Sequence, residues 1–132
     1  MIARPDRCHV LVERTTRDRS ASAGREIRAF AKCRNERLRL PAFLDHYRRL
    51  GIDRFFIVDN DSTDGSAEYL SGHPDIHVFR TTGRFREAGG GTDWLNAILK
   101  EFGVGSWCVT VDIDEWLVYP GSERTPLRAL TT

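Results

Sequence analysis

Two apolar runs, FFIV at Phe55–Val58 and WCVTV at Trp107–Val111, each drive straight into a knot of acids. The first enters Asp59-Asn60-Asp61-Ser62-Thr63-Asp64-Gly65, and the second enters Asp112-Ile113-Asp114-Glu115. Short continuous apolar runs bounded by turn residues read as strands buried on both faces, the signature of a parallel sheet. Between them the period changes. Leu40, Phe43, Leu44, Tyr47 and Leu50 recur at helical spacing, with Pro41 suited to a first turn and Gly51 to a stop. Trp94, Leu95, Ile98, Leu99 and Phe102 repeat that pattern and end near Gly103. Further strands are expected in IRAFAK from Ile27 and at Ile76–Phe79, and a short helix over Gly65–Leu70. Strands alternating with helices predict an α/β, Rossmann-like fold built on a mostly parallel sheet.

That topology gives the acids a shared address. Right-handed crossovers bring both clusters to the carboxyl edge of the sheet, where open α/β folds bind ligands. Asp59, Asp61, Asp112, Asp114 and Glu115 are thus expected around one cleft. Carboxylates so close together repel unless a cation or hydrogen-bond donors relieve them. Ordinary turn chemistry is the plain alternative, since Asp, Asn, Ser and Gly are turn formers. A divalent ion, Mg²⁺ or Mn²⁺, suits such a site because it needs only one or two carboxylates beside phosphate oxygens and water.

Bulk properties exclude several classes. The chain has 132 residues, enough for one core, with 40% hydrophobic and 30% charged residues. The net charge of +1 hides an asymmetry: residues 1–39 hold 11 Lys/Arg against 5 Asp/Glu, and residues 40–132 hold 9 against 14. The basic segment lacks the interleaved aromatics of a nucleic-acid stacking surface, so residues 1–26 read as a solvated, mobile arm carrying a short strand near His9–Val12. Cys8, Cys33 and Cys108 are odd in number and widely spaced, which favours neither a disulfide framework nor a zinc site. Cys33 and Cys108 read as buried small hydrophobes. No apolar run reaches the ~18 residues of a spanning helix, and no signal-peptide core follows the basic start. These features place the chain in the cytoplasm, with work at a membrane surface left open.

Three motifs in order, CRNERLRLPAFLDHYRRLGIDRFFIVDNDSTDG, REAGGGTDWLN and VDIDEWLVYP, resemble the nucleotide-binding half of family-2-like glycosyltransferases with the GT-A fold. The resemblance spans about Ile27 to Pro120 and makes residues 27–120 the nucleotide-sugar-binding domain. It implies that Asp59 reads the nucleobase, that Asn35 and Glu36 line the nucleotide pocket, and that Asp112 and Asp114 form the D-x-D pair. In that pair Asp112 lies near the ribose and Asp114 on the metal. Asp61 joins the same acidic turn. The implied donor is a nucleotide-diphospho-sugar, with a glycan, lipid or protein hydroxyl as acceptor and an inverting displacement. No catalytic base is visible. Full enzymes of this kind continue into an acceptor half, so residues 121–132 read as the start of a missing half. A bare sheet edge and self-association are then expected. Arginine outnumbers lysine 18 to 2, as in GC-rich bacterial genomes.

Three rival readings stand beside this one. FFIVDNDST also satisfies the nucleophile strand of haloacid-dehalogenase-type phosphatases, with Asp59 attacking phosphorus and Asp61 as acid/base. A calcium loop from Asn60 fails because its twelfth position is Ser71. A non-catalytic nucleotide-sugar-binding module keeps the fold without turnover. Gly89–Gly91 read as a flexible loop, Arg80, Arg84 and Arg86 as either phosphate grips or a solvated face, and Trp94 and Trp116 as packing residues.

Overall fold

A computed structural model describes residues 2–4, 9–13 and 25–131. Six strands and four helices alternate along it: β1 (Ile2–Arg4), β2 (His9–Glu13), β3 (Ile27–Cys33), α1 (Leu40–Leu50), β4 (Arg54–Asn60), α2 (Ser66–Ser71), β5 (Ile76–Thr81), α3 (Thr92–Phe102), β6 (Trp107–Thr110) and α4 (Leu127–Leu130). The sheet runs β1-β2-β5-β4-β3-β6. Strands β5, β4, β3 and β6 are parallel, while β2 joins β5 antiparallel and β1 joins β2 antiparallel. The α/β, mostly parallel architecture expected from the strand-helix alternation is therefore present. The strand expected near His9–Val12 is β2; the linker after it lies outside the described residues.

The strands are apolar on both faces because both are covered. Ile27, Ala29, Ala31 and Cys33 of β3 pack with Phe55 and Ile57 of β4, Leu40, Phe43, Leu44, Tyr47 and Leu50 of α1, and Leu70 of α2. The alternate residues Phe30, Phe56, Val58 and Phe79 pack on Trp94, Ile98 and Phe102 of α3. Phe56 is the centre of this second layer. Its ring stacks 5.0 Å from Phe30 and 5.2 Å from Phe102, centroid to centroid. Period-2 side chains with a helix on either side are what a buried parallel sheet requires.

Local signals fix the ends of α1. Pro41 stands in its first turn, and Gly51, at φ 104°, caps it with an N–H donated to Arg48 O. Only glycine takes that left-handed conformation without strain. From β3 the chain winds through α1 to β4 and through α2 to β5. It then returns through α3 to the other side of β3, where β6 pairs. The winding reverses between β3 and β6, and that reversal opens a crevice at the carboxyl ends of these two strands.

The residues after Pro120 pack against the opposite, amino-terminal edge. Leu127 joins the α1-side core, and Arg128 pairs with Asp53 and donates to Arg25 O at 2.8 Å. Beside it, Glu26 binds both Arg28 (2.8 Å) and Arg54 (2.7 Å). Glu26, read from sequence as the end of the arm, is thus buried in the base of the sheet. Strand β6 forms the open edge, with Trp107 and Thr110 exposed.

Candidate functional site

The crevice at the reversal is a cleft of about 320 Å³ lined by Lys32 and Cys33 at the end of β3, Arg34 and Glu36 just after it, Asn60 at the end of β4, Phe85 and Trp94 around the start of α3, and Asp112, Ile113 and Asp114 after β6. Each acid is placed by an anchor. Ile113 is buried in the α1-side core, so Asp112 and Asp114 on either side of it are left at the cleft. The segment beyond is pinned to α1: the Tyr47 hydroxyl donates to Glu115 O and accepts from the Leu117 N–H, both at 3.0 Å. His46 Nε2 lies 2.9 Å from Leu117 O, and its ring stacks on Trp116 at 4.6 Å. Burial pushes the Tyr47 hydroxyl pKa up, which keeps this double contact protonated.

The acidic turn after β4 has a different occupation. Asp59 is 1% exposed, and its Oδ2 accepts from the Ser62 N–H at 3.1 Å. Asp64 accepts from the Arg37 N–H at 3.0 Å and from both the N–H and the hydroxyl of Ser66. Burial alone would raise the Asp64 carboxyl, but the Ser66 hydroxyl and the Arg37 and Ser66 N–H donors hold it below its ordinary value. Asp61, in the left-handed region at φ 52°, pairs with Arg80 at 2.5 Å. Hydrogen-bond donors and one guanidinium therefore relieve much of the charge that, in the sequence, invited a cation.

The same donors weld this turn to the one after β3. Asn35, at φ 53°, donates its N–H to Ser62 Oγ (2.9 Å) and accepts the Thr63 N–H (2.7 Å), while the Glu36 N–H donates to Ser66 Oγ (3.1 Å). Two non-glycine residues with positive φ on facing turns are held by this lattice of bonds; Asn and Asp tolerate that conformation best.

Of the residues singled out by sequence, Glu36, Asp112 and Asp114 line the cleft. Asp59, Asp61, Asn35 and Glu115 do not. Asn35 borders a second hollow with Glu36, Arg37, Leu38, Arg39 and Asp64. Asp59 sits immediately before the cleft residue Asn60. Asp59 Oδ1 and Asn60 Oδ1 are both buried and without a hydrogen-bond partner, an arrangement that costs folding energy and marks acceptors waiting for a donor. Arg84 faces Glu87 at 3.9 Å, and none of Arg80, Arg84 and Arg86 lines the cleft, whose one arginine is Arg34. Gly89, Gly90 and Gly91 form a defined left-handed run (φ 61°, 71° and 86°) rather than an unstructured loop. Cys33 is buried, and burial chiefly, with Asp59 nearby, pushes its thiol up to about 12, so it is no nucleophile. Cys108 is only half-buried at the β6 edge.

Lys32, Asn60 and Phe85 were not predicted for the site. A signal for Lys32 existed: it shares the alternate positions of β3 with Phe30 and so lies on the α3 face at the strand's end.

The residues suit a phosphate-bridged divalent ion better than a caged one. Among the described residues no three His, Cys, Asp or Glu side chains gather to hold a metal. Asp112 and Asp114 nevertheless put two hard oxygen donors on one cleft, the number Mg²⁺ or Mn²⁺ takes when phosphate and water complete the shell. No helix among the described residues is long and apolar enough to cross a membrane.

In an alignment of 96 residues that covers 68% of its length, the chain is 30% identical to a glycosyltransferase family 92 protein of Oryza sativa subsp. japonica. It spans about 16% of that protein. No family model matches the chain, and no solved structure matches it. The chain is a distant homologue of a glycosyltransferase.

Proposed function

We propose that the chain is the donor-binding part of a GT-A-like glycosyltransferase, taking a nucleotide-diphospho-sugar at the cleft between β3 and β6. One observation carries this: Glu36, Asn60, Asp112 and Asp114, from three separate strand ends, converge on one hollow at the point where the sheet reverses. The distant glycosyltransferase relative supports it.

In this reading Asp59 and Asn60 offer their unpaired oxygens to the N–H and hydroxyl donors of the base and ribose. Asp112 stands near the ribose, and Asp114 holds a divalent ion, Mn²⁺ or Mg²⁺. Such an ion supplies charge neutralisation to a departing nucleoside diphosphate. The acceptor oxygen forms its bond to the anomeric carbon as the carbon–phosphate-oxygen bond breaks, with inversion, and the acceptor proton passes to a carboxylate base. Asp112 and Asp114 are committed to the donor, so neither serves as that base. The phosphatase alternative is less favoured, because the relative that the chain matches is a glycosyltransferase.

Calorimetry with UDP and GDP tests the reading. Binding should be tighter with Mn²⁺ than with EDTA, and Asp114→Ala should abolish the difference. Equal affinity with and without metal in the unaltered chain would remove the D-x-D assignment.

A further inference from the structure

Lys32 carries the one ammonium that lines the cleft, and its surroundings fix where that charge ends. The stem passes against Gly91: a Cβ there would meet Lys32 Cδ at 2.6 Å, closer than any side chain tolerates. Gly91 also sits at φ 86°, which favours glycine, and the Lys32 stem occupies the space that a side chain there would take. Beyond this gap Nζ lies 5.4 Å from the centre of the Phe85 ring and 3.8 Å from Asp112 Oδ1. The latter is an ion pair too long for a direct hydrogen bond. Among the described residues Lys32 Nζ makes no hydrogen bond, so three donors remain unspent.

A lysine in a cleft with Glu36, Asp112 and Asp114 has an obvious electrostatic home, yet it pairs with Asp112 at 3.8 Å and makes no direct hydrogen bond to any of the three. Its stem is partly buried, with the side chain 27% exposed, and the packing at Gly91 limits its swing. Helix α3 begins at Thr92, one residue later, and borders the cleft through Trp94, so its positive end adds to the same field. A compact point charge with free donors beside a helix start matches phosphate oxygens. The acids opposite match the cation that accompanies them.

We propose that Lys32 recognises the diphosphate of the donor, positioned by the space that Gly91 leaves for its stem. This rests on the nucleotide reading above and adds to it the group that discriminates a nucleoside diphosphate from a nucleoside. Lys32 then also opposes the negative charge that grows on the departing diphosphate.

The test compares UDP with uridine and GDP with guanosine by calorimetry at one fixed Mg²⁺ concentration. Lys32→Met keeps the stem and removes the charge. Its affinity for the diphosphates should fall about tenfold, while nucleoside affinity stays within about twofold. Lys32→Arg should recover part of the loss. Gly91→Ala, which pushes the stem aside with the charge intact, should narrow the same preference and gives a second route if Lys32→Met folds poorly. Diphosphate binding in the unaltered chain with no loss of preference in these variants would overturn the role of Lys32 and leave the nucleotide reading standing. An unaltered chain that binds none of the four probes would overturn both.

Discussion

At the amino-terminal ends of β3 and β4, the charged side chains Glu26, Arg28 and Arg54 sit with their partners in place. Glu26 bridges Arg28 and Arg54, Arg28 donates to Phe102 O at 2.9 Å, and Arg54 reaches His77 Nε2 at 3.1 Å. At the carboxyl-terminal ends of the same parallel strands, Asp59 Oδ1 and Asn60 Oδ1 are buried with no partner, and Lys32 stops 3.8 Å from Asp112. Both edges concentrate charge. They differ in satisfaction. A buried charge that has spent its bonding capacity contributes to folding, whereas one with capacity left over is available to a ligand. The comparison also shows why acid count alone misleads, since Asp61 and Asp64 are numerous but engaged.

Removing Glu26 should give the largest effect. It would remove the carboxylate from the Arg28 guanidinium, only 2% exposed, which lies over the Phe56 ring and donates to Phe102 O. Leaving one partner of a buried pair uncompensated costs about 3–5 kcal/mol. Glu26→Ala should lose stability of that order in urea unfolding while UDP binding, measured on whatever remains folded, is unchanged. A variant that loses binding but not stability would invert the comparison.

Asp59→Asn probes the opposite edge. Asparagine can still accept from the Ser62 N–H, so the turn should keep its fold. The negative acceptor is lost, and nucleotide affinity should fall about tenfold, by the value of a charge-assisted hydrogen bond. No aspartyl-phosphate should form. A beryllofluoride adduct on Asp59, or hydrolysis of p-nitrophenyl phosphate abolished by this change, would favour the phosphatase reading instead.

How much of this contrast could be read from the chain depends on range. The α1 pattern, the strand runs and the shared carboxyl edge follow from local periodicity and topology, and residues 40–50 form a helix as expected. Which acids remain open does not follow. Asp64 is satisfied by the N–H of Arg37 and Asp61 by Arg80, pairings 27 and 19 residues apart that exist only once two turns meet. Glu26 was placed in a mobile arm because its partners lie on other strands. Gly91 read as flexible because its left-handed φ and the Lys32 stem beside it exist only in the folded chain.

A pH titration sharpens the comparison with a smaller signal. Burial alone would raise the Glu26 carboxyl, but Arg54 and Arg28 hold it below its ordinary 4.5. A depressed folded value means its stabilisation is fully present above pH 4.5 and drains away as pH falls through the folded value. Glu26→Gln should therefore flatten the acid limb of the stability curve. It should not level it, because Asp75, paired with Arg48, is also held low against the effect of burial. An unchanged acid limb would place the acid sensitivity at the carboxyl edge.

The smallest expected effect lies on neither end but along the open side strand. Among the described residues β6 pairs only with β3, leaving one row of its backbone groups free, and Trp107 at its amino-terminal end is 60% exposed. An unpaired edge carrying an exposed aromatic invites a second chain to pair there. A lysine on such an edge blocks pairing at little cost to the fold. Trp107→Lys should lower the light scattering of the concentrated protein and leave both UDP affinity and urea stability where they were. Trp107 stands at the opposite end of β6 from Asp112, so the cleft should not register the change. Reduced scattering accompanied by lost UDP affinity would mean that association completes the cleft, and the carboxyl edge would then belong to two chains rather than one.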